Sequence, residues 1–488
     1  MTQAPSRAEQ LAAWASLAVL AAFYVKTLGV PSFWLDEAWE ANYYAGYEPE
    51  PWYNRPMALM AAQRAIATIA GPSELALRAL PCLAALAAVA LLWRLARRRL
   101  GATEAWIGAA ALALAPPFVL LAHQLKHYPF DALATVALWT ALDAWRQRRS
   151  AWSAAAFAAT GCVAFGFSFT APFAIAGCAV AALAASRADR RGLGTFATAC
   201  AATAAVFAAV YLAFHAADAS NPNTVDWFEG AYPPSGGIVA WVRWALAQTV
   251  EIAKLHTGAP SGLALAAVAG AGLLAARADG RWIFVAAGGA LAAALAAGTL
   301  RMYPYGAART TLWIAPAIAL TVGCAFGTFV GDGRARAARA LVAAAFAYLA
   351  FYPALRDLGP YLSTGWKKEH LRPFVETIAR ERRAGEAIYV YEDALSAFRF
   401  YWRRLGREGV DPDLAIAPRS RLDLARHRVA VDALAERYDR VWGVYTHVSR
   451  EEMDAIRAAL AARYERVRGG EDGDARWDLW VRRAGAAP

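Results

Sequence analysis

A chain of 488 residues that is 59% hydrophobic and 18% charged, with 19 Trp, 19 Tyr and 21 Phe, does not have the composition of a soluble globular protein. Its mean hydropathy of +0.29 is nevertheless modest for one lying wholly in a bilayer. The net charge of +11 is no nucleic-acid footprint: from Asp357 onward 24 Lys and Arg stand against 22 Asp and Glu, so the excess lies upstream, in short loops between apolar runs. The five cysteines (Cys82, Cys162, Cys178, Cys200, Cys324) all sit within apolar runs and none shows metal-ligand spacing, which argues against a disulfide framework or a Cys-bound zinc.

Spanning a bilayer takes about 20 apolar residues. Taken in chain order, the candidates are 11–30, 79–95, 105–122, 128–145, 152–170, 172–186, 194–215, 260–276, 282–299, 311–330 and 339–356, about eleven transmembrane helices. No small-residue cleavage signal follows the first run, so it reads as a retained anchor. With the N-terminus cytoplasmic, the inside loops are 94–99 (RLARRR), 146–149 (RQRR), 187–191 (RADRR), 277–281 (RADGR) and 332–339 (DGRARAAR), all short and Arg-rich. This makes 1–356 a polytopic all-α membrane module with outside loops at 31–78, 123–131, 216–259 and 300–310. Residues 357–488 then form a periplasmic domain of a protein in the bacterial inner membrane.

The first outside loop opens with Trp34-Leu35-Asp36-Glu37-Ala38-Trp39-Glu40, which places two adjacent carboxylates between tryptophans at a membrane surface. Asp36, Glu37 and Glu40 share roughly one side of a short helix. The same loop carries Arg55, a helix over 57–70 ended by Gly71-Pro72, and Ser73-Glu74-Leu75-Ala76-Leu77-Arg78. The second loop holds His123, Lys126, His127 and Tyr128. The third holds Asp226 and Glu229 and an amphipathic stretch from Ile238 to His256. The fourth holds Arg301, Tyr303, Tyr305 and Arg309. Beyond Asp357, strands are expected at 387–391, 441–445 and 477–481 and helices at 394–404 and 450–464, a small soluble α/β domain with no glycine-rich nucleotide signature.

Carboxylates and cations on one membrane face suit a lipid-linked phosphate: Lys and Arg bind the anion, and a carboxylate serves as general base on an acceptor hydroxyl. The motifs W-L-D-E-A-W (34–39), S-E-L-A-L-R (73–78), L-K-H-Y-P-F-D (125–131) and Y-P-Y-G-A-A-R-T (303–310), with this topology and a soluble tail, resemble the GT-C glycosyltransferases. Within them they resemble the bacterial branch related to protein O-mannosyltransferases and aminoarabinose transferases; the resemblance covers about 10–330.

The resemblance implies an inverting transfer from a polyprenyl-phosphate sugar to an extracytoplasmic glycan, lipid or protein. In it, Asp36 is the catalytic base or acceptor-positioning carboxylate, and Glu37 is structural or metal-associated. Lys126 and Tyr128 contact the polyprenyl phosphate, and Arg301 and Arg309 face the donor phosphate. Trp34, Trp39, Glu40, Arg55, His123, His127, Asp226, Tyr303 and Tyr305 are then candidates for substrate or acceptor contact. No cofactor is implied except a divalent cation, Mg or Mn, on Asp36 and Glu37. His123 and His127 stand where the family often has carboxylates, which puts a second acid and that metal in doubt. Each assignment has a plain structural alternative: Asp36 as a helix cap, Lys126 as a snorkelling lysine, the histidines as interface hydrogen-bonders, the two late tyrosines as belt aromatics. Two other classes stay open for the whole chain. One is a transporter or flippase of lipid-linked intermediates, which the near absence of charge within the spans disfavours. The other is a non-catalytic envelope scaffold.

Overall fold

The structure is a computed structural model and describes residues 6–49, 55–185, 190–214, 228–257, 279–306, 308–330, 356, 359, 363, 365–407, 413–420 and 423–483. The chain divides into two compact units: 1–26, 53–63 and 78–363 form one, and 27–52, 64–77 and 364–488 the other. The acidic stretch of the first outside loop therefore packs with the C-terminal domain in a single unit.

The helices in chain order are α1 (Arg7–Thr27), α2 (Leu35–Tyr44), α3 (Met57–Ala70), α4 (Glu74–Arg99), α5 (Ala102–Leu114), α6 (Pro116–Ala122), α7 (Tyr128–Arg148), α8 (Ala151–Phe167), α9 (Ala171–Ala185), α10 (Arg190–Phe214), α11 (Gly237–Thr257), α12 (Arg281–Thr299) and α13 (Ala315–Val330). Among the described residues five helices are long and apolar enough to cross a membrane, or six if α5 and α6 are one span broken by 60°. The break falls at Ala115-Pro116, where the proline ring cannot continue the preceding helix but suits the first turn of the next. Of the eleven expected spans, 260–276 and all of 339–356 except Arg356 lie outside the described residues. Those at 152–170 and 172–186 form helices of 17 and 15 residues, short for a bilayer crossing, with Ser168 closing the first of them. Cys82, Cys178 and Cys324 are buried, and no described cysteine is in a disulfide.

Alanine and glycine set the packing of the first unit. Small side chains let helix backbones approach closely, which matters in lipid, where apolar burial alone does not favour association. On α9, Gly177 faces Ala286 and Ala290 of α12, and a Cβ built at Gly289 would come within 3.0 Å of the Gly177 Cα. A Cβ on Gly177 would fall on the Ala286 carbonyl oxygen. Gly177→Ala is accordingly expected to cost about 1–3 kcal/mol by overpacking and to lower the thermal midpoint in detergent. Gly194→Ala, on an α10 position with no atom nearby, is expected to leave the midpoint unchanged or raise it.

In the second unit five strands, β1 (Ala387–Tyr391), β2 (Leu414–Ala417), β3 (Arg440–Tyr445), β4 (Tyr464–Asp472) and β5 (Ala475–Arg482), form one sheet in the order β2-β1-β3-β5-β4. β1 pairs in parallel with β2 and β3; β5 runs antiparallel between β3 and β4. The helices α14 (Arg372–Glu381), α15 (Leu395–Arg404), α16 (Ala425–Ala435) and α17 (Arg450–Arg463) connect and cover the strands. β1 is buried along its whole length, as its unbroken apolar run requires for a central parallel strand. Trp442 stacks on Trp477 and donates its indole N–H to Glu386 at 2.7 Å. The expected strands and helices of this domain are all present. β2, β4, α14 and α16 were not foreseen; β4 is an edge strand whose charged, exposed residues show no apolar alternation.

Candidate active site

In the second unit the acidic motif starts a helix that lacks its own cap. Trp34 is the N-cap residue of α2, extended at φ −84° and ψ 173°, and a tryptophan has no side-chain acceptor for the first-turn N–H groups. Side chains more than 300 residues downstream accept from Leu35, the first residue of the helix, and from the two residues before Trp34. The Ser32 N–H donates to His370 Nδ1 at 2.9 Å, the Phe33 N–H to the Tyr401 hydroxyl at 2.6 Å, and the Leu35 N–H to Glu369 Oε2 at 3.0 Å. Burial, reinforced by the charge of Lys367, pushes His370 down to about 4, so its Nδ1 is available as an acceptor. The Arg372 N–H donates to Ser32 Oγ at 2.9 Å. Glu74 accepts from Tyr401 and pairs with Arg372 at 2.8 Å and Arg404 at 2.9 Å. Trp34 lies edge-on to Trp366, with Lys368 Nζ 3.8 Å above its ring. Phe33 packs edge-on against Phe400, and Asn42 donates to the carbonyls of Ala38 and Ser396.

On α2 so held, Asp36 and Trp39 are half-buried, whereas Glu37 and Glu40 are buried. The Tyr44 hydroxyl reaches Glu40 at 3.4 Å. Asp36 and Glu37 lie in the first turn, where the helix dipole favours negative charge. Among the described residues no group of three or more His, Cys, Asp or Glu gathers as metal ligands.

In the first unit residues 123–131 fold with Lys126, His127 and Asp131 buried. His123 closes α6 with Nδ1 2.7 Å from the Val119 carbonyl and its ring against Tyr24, and burial keeps it below the usual histidine range. Lys126 is 2% exposed. His127, at the N-cap of α7, packs on Tyr128 and edge-on to Phe169, and its Nδ1 is buried without a hydrogen-bond partner. Burial, and then the positive charges of Arg55, Lys126 and Arg309, hold His127 well below its ordinary value. Three cations from separate stretches thus act on one neutral imidazole.

Arg309 is presented by a tied turn. Tyr303 donates to the Thr310 carbonyl at 2.7 Å and accepts from the Trp313 indole at 3.0 Å. Tyr305 shares a 2.7 Å hydrogen bond with Thr249, and Gly306 turns at φ +97°, a conformation suited to glycine. Both tyrosines are buried and spend their hydroxyls within the unit. Arg301 goes elsewhere: it is exposed and lies 5.5 Å over the Tyr232 ring. Asp226 lies outside the described residues; Glu229 starts a short 3-10 turn.

Sequence reasoning passed over two elements of the arrangement. Asp131, the last residue of L-K-H-Y-P-F-D, is 1% exposed and accepts from Ser168 Oγ at 2.6 Å. That hydroxyl in turn accepts from the Ala171 N–H, which ties the start of α7 to the turn between α8 and α9. The second is the Glu369, His370, Tyr401 set under the acidic helix. Its one signal was the dense aromatic and charged run Trp366-Lys367-Lys368-Glu369-His370 at the entry to the domain.

The helices of the first unit, and in the second unit the sheet domain with the acidic helix it holds, have a fold shared with solved membrane proteins that include an archaeal oligosaccharyltransferase. Residues 54–221 match the family model of dolichyl-phosphate-mannose-protein mannosyltransferases. The fold is similar to that of ArnT from Cupriavidus metallidurans bound to undecaprenyl phosphate. The TM-score is 0.55 at 15% identity, over 99% of this chain and 100% of that one. It is also similar to the archaeal oligosaccharyltransferase AglB from Archaeoglobus fulgidus in complex with an inhibitory peptide and a dolichol-phosphate. Here the TM-score is 0.52 at 14% identity, over 99% of this chain and 75% of that one. No curated protein matches the sequence.

Proposed function

We propose that the protein is an inverting glycosyltransferase that moves a sugar from a polyprenyl-phosphate donor to a hydroxyl of an extracytoplasmic glycan, lipid or protein. The observation that carries this reading is that the charges of the buried Lys126 and of the half-buried Arg55 and Arg309 all act on the buried His127. Cations that share a site of low dielectric favour a phosphate that gains charge as its ester breaks. The acceptor oxygen attacks the anomeric carbon while the carbon–oxygen bond to phosphate breaks. The electron pair leaves with the polyprenyl phosphate, and Asp36 takes the acceptor proton. Arg55, Lys126 and Arg309 hold the phosphate, with Tyr128 beside them; Arg301, over Tyr232, belongs to the approach. The similarity to ArnT bound to undecaprenyl phosphate supports the lipid class. In this reading about eleven helices cross the bacterial inner membrane, with the N-terminus inside and the C-terminal domain in the periplasm.

The test is transfer itself. Purified protein in nanodiscs is incubated with radiolabelled undecaprenyl-phosphate sugars and envelope fractions. The expected result is label in an envelope component together with stoichiometric release of undecaprenyl phosphate. Absence of transfer from every such donor would overturn the reading.

A further inference from the structure

The cradle under the acidic helix is more specific than a domain contact requires. Glu369 is 1% exposed, and its two oxygens have different tasks: Oε2 accepts the Leu35 N–H at 3.0 Å, and Oε1 faces His447 Nδ1 at 3.1 Å. Leu35 is the first residue of α2 and Asp36 the second, so the carboxylate caps the turn that carries Asp36. His447 follows the carboxyl end of β3 and has φ +56°, a left-handed conformation that a non-glycine residue adopts at a cost and keeps only where its surroundings demand it. That conformation sits where the side chain meets Glu369.

We propose that Glu369, braced by His447, is a positioning residue that fixes the first turn of α2 and with it the placement of Asp36. The C-terminal domain would then contribute to the reaction by holding the base, apart from any contact it makes with an acceptor. This rests on the proposed role of Asp36. The bond to Glu369 raises the pKa of His447 above the ordinary histidine value against the effect of its burial. Glu369 and Asp393 favour its proton and Lys368 opposes it. The sign follows: the charged pair is complete below the unfolded histidine value and is lost as pH rises through the raised one. The cradle is tightest in mildly acid solution and loosens on the alkaline side.

The experiment uses the full chain in nanodiscs with Glu369→Ala, Glu369→Gln and His447→Gln. Hydrogen exchange of the peptide over 32–44 is expected to speed by about fivefold in Glu369→Ala, the loss of one cap. Glu369→Gln, which keeps an acceptor, should recover most of the protection. In the transfer assay kcat is expected to fall by about 100-fold in Glu369→Ala, as for a displaced catalytic group, with the KM for donor unchanged within a factor of about 3. His447→Gln, which donates without titrating, should flatten the alkaline fall of kcat. Unchanged exchange over 32–44 in Glu369→Ala, or an alkaline limb in His447→Gln identical to wild type, would overturn the proposal. If exchange responds but wild type transfers no sugar, the glycosyltransferase reading falls and the positioning of α2 stands.

Discussion

Asp36→Asn is expected to lower sugar transfer by about 10²- to 10⁴-fold, the usual contribution of a positioned general base, with undecaprenyl phosphate binding unchanged. The argument is local. Asn matches Asp in volume and stays in the first turn of α2, which side chains of the C-terminal domain hold, so the helix keeps its place. What is lost is the ability to accept a proton from the attacking hydroxyl. Asp36 suits this role better than its neighbours because it is half-buried, whereas Glu37 and Glu40 are buried. The decisive comparison is turnover against donor affinity in the same preparation. Turnover of Asp36→Asn within about tenfold of wild type would remove it from the base role, and an equal loss in Glu37→Gln with none in Asp36→Asn would move that role one residue along.

The second large effect is expected at Lys126. Lys126→Ala should weaken undecaprenyl phosphate binding by about tenfold to a hundredfold, the range for a hydrogen bond to a charged group in a shielded site, and Lys126→Arg should recover part of it. Lys126 is 2% exposed, so its charge is little screened by solvent or salt. Removing it also relieves His127, one of whose suppressing charges it is, and should raise the His127 pKa toward the ordinary value. With that cation gone, His127 gains a proton as pH falls, so donor binding by Lys126→Ala should recover toward acid pH more than wild type does. A titration of binding against pH reads both effects. Full affinity in Lys126→Ala would place the phosphate elsewhere.

Much of the architecture was legible in residue order. Apolar run length outlined much of the helical part, and the Arg-rich runs at 94–99 and 146–148 fall in the last turns of α4 and α7. The alternation over 387–391, 441–445 and 477–481 outlined the sheet. Gly71 with Pro72 marked the end of α3, where Gly71 takes φ +78°. These are local signals: periodicity, charge asymmetry and turn chemistry act over a few residues. β4 was missed because an exposed edge strand is chosen by its partner, β5, rather than by its own pattern.

The candidate site was only half legible for the same reason. By itself the sequence determined that Asp36 follows the first apolar run in a short acidic helix and that Lys126 and Arg309 lie in short polar stretches between apolar runs, because residue type and local spacing are enough for that. Tertiary structure decided what those residues meet. Arg55 and Arg309 join Lys126 around His127, while Arg301 turns away to Tyr232. Glu369, His370 and Tyr401, more than 300 residues from the acidic motif, accept its backbone N–H groups. Burial leaves a polar group few partners other than those packing brings to it, and no pattern within a short window of sequence encodes which distant side chain that will be.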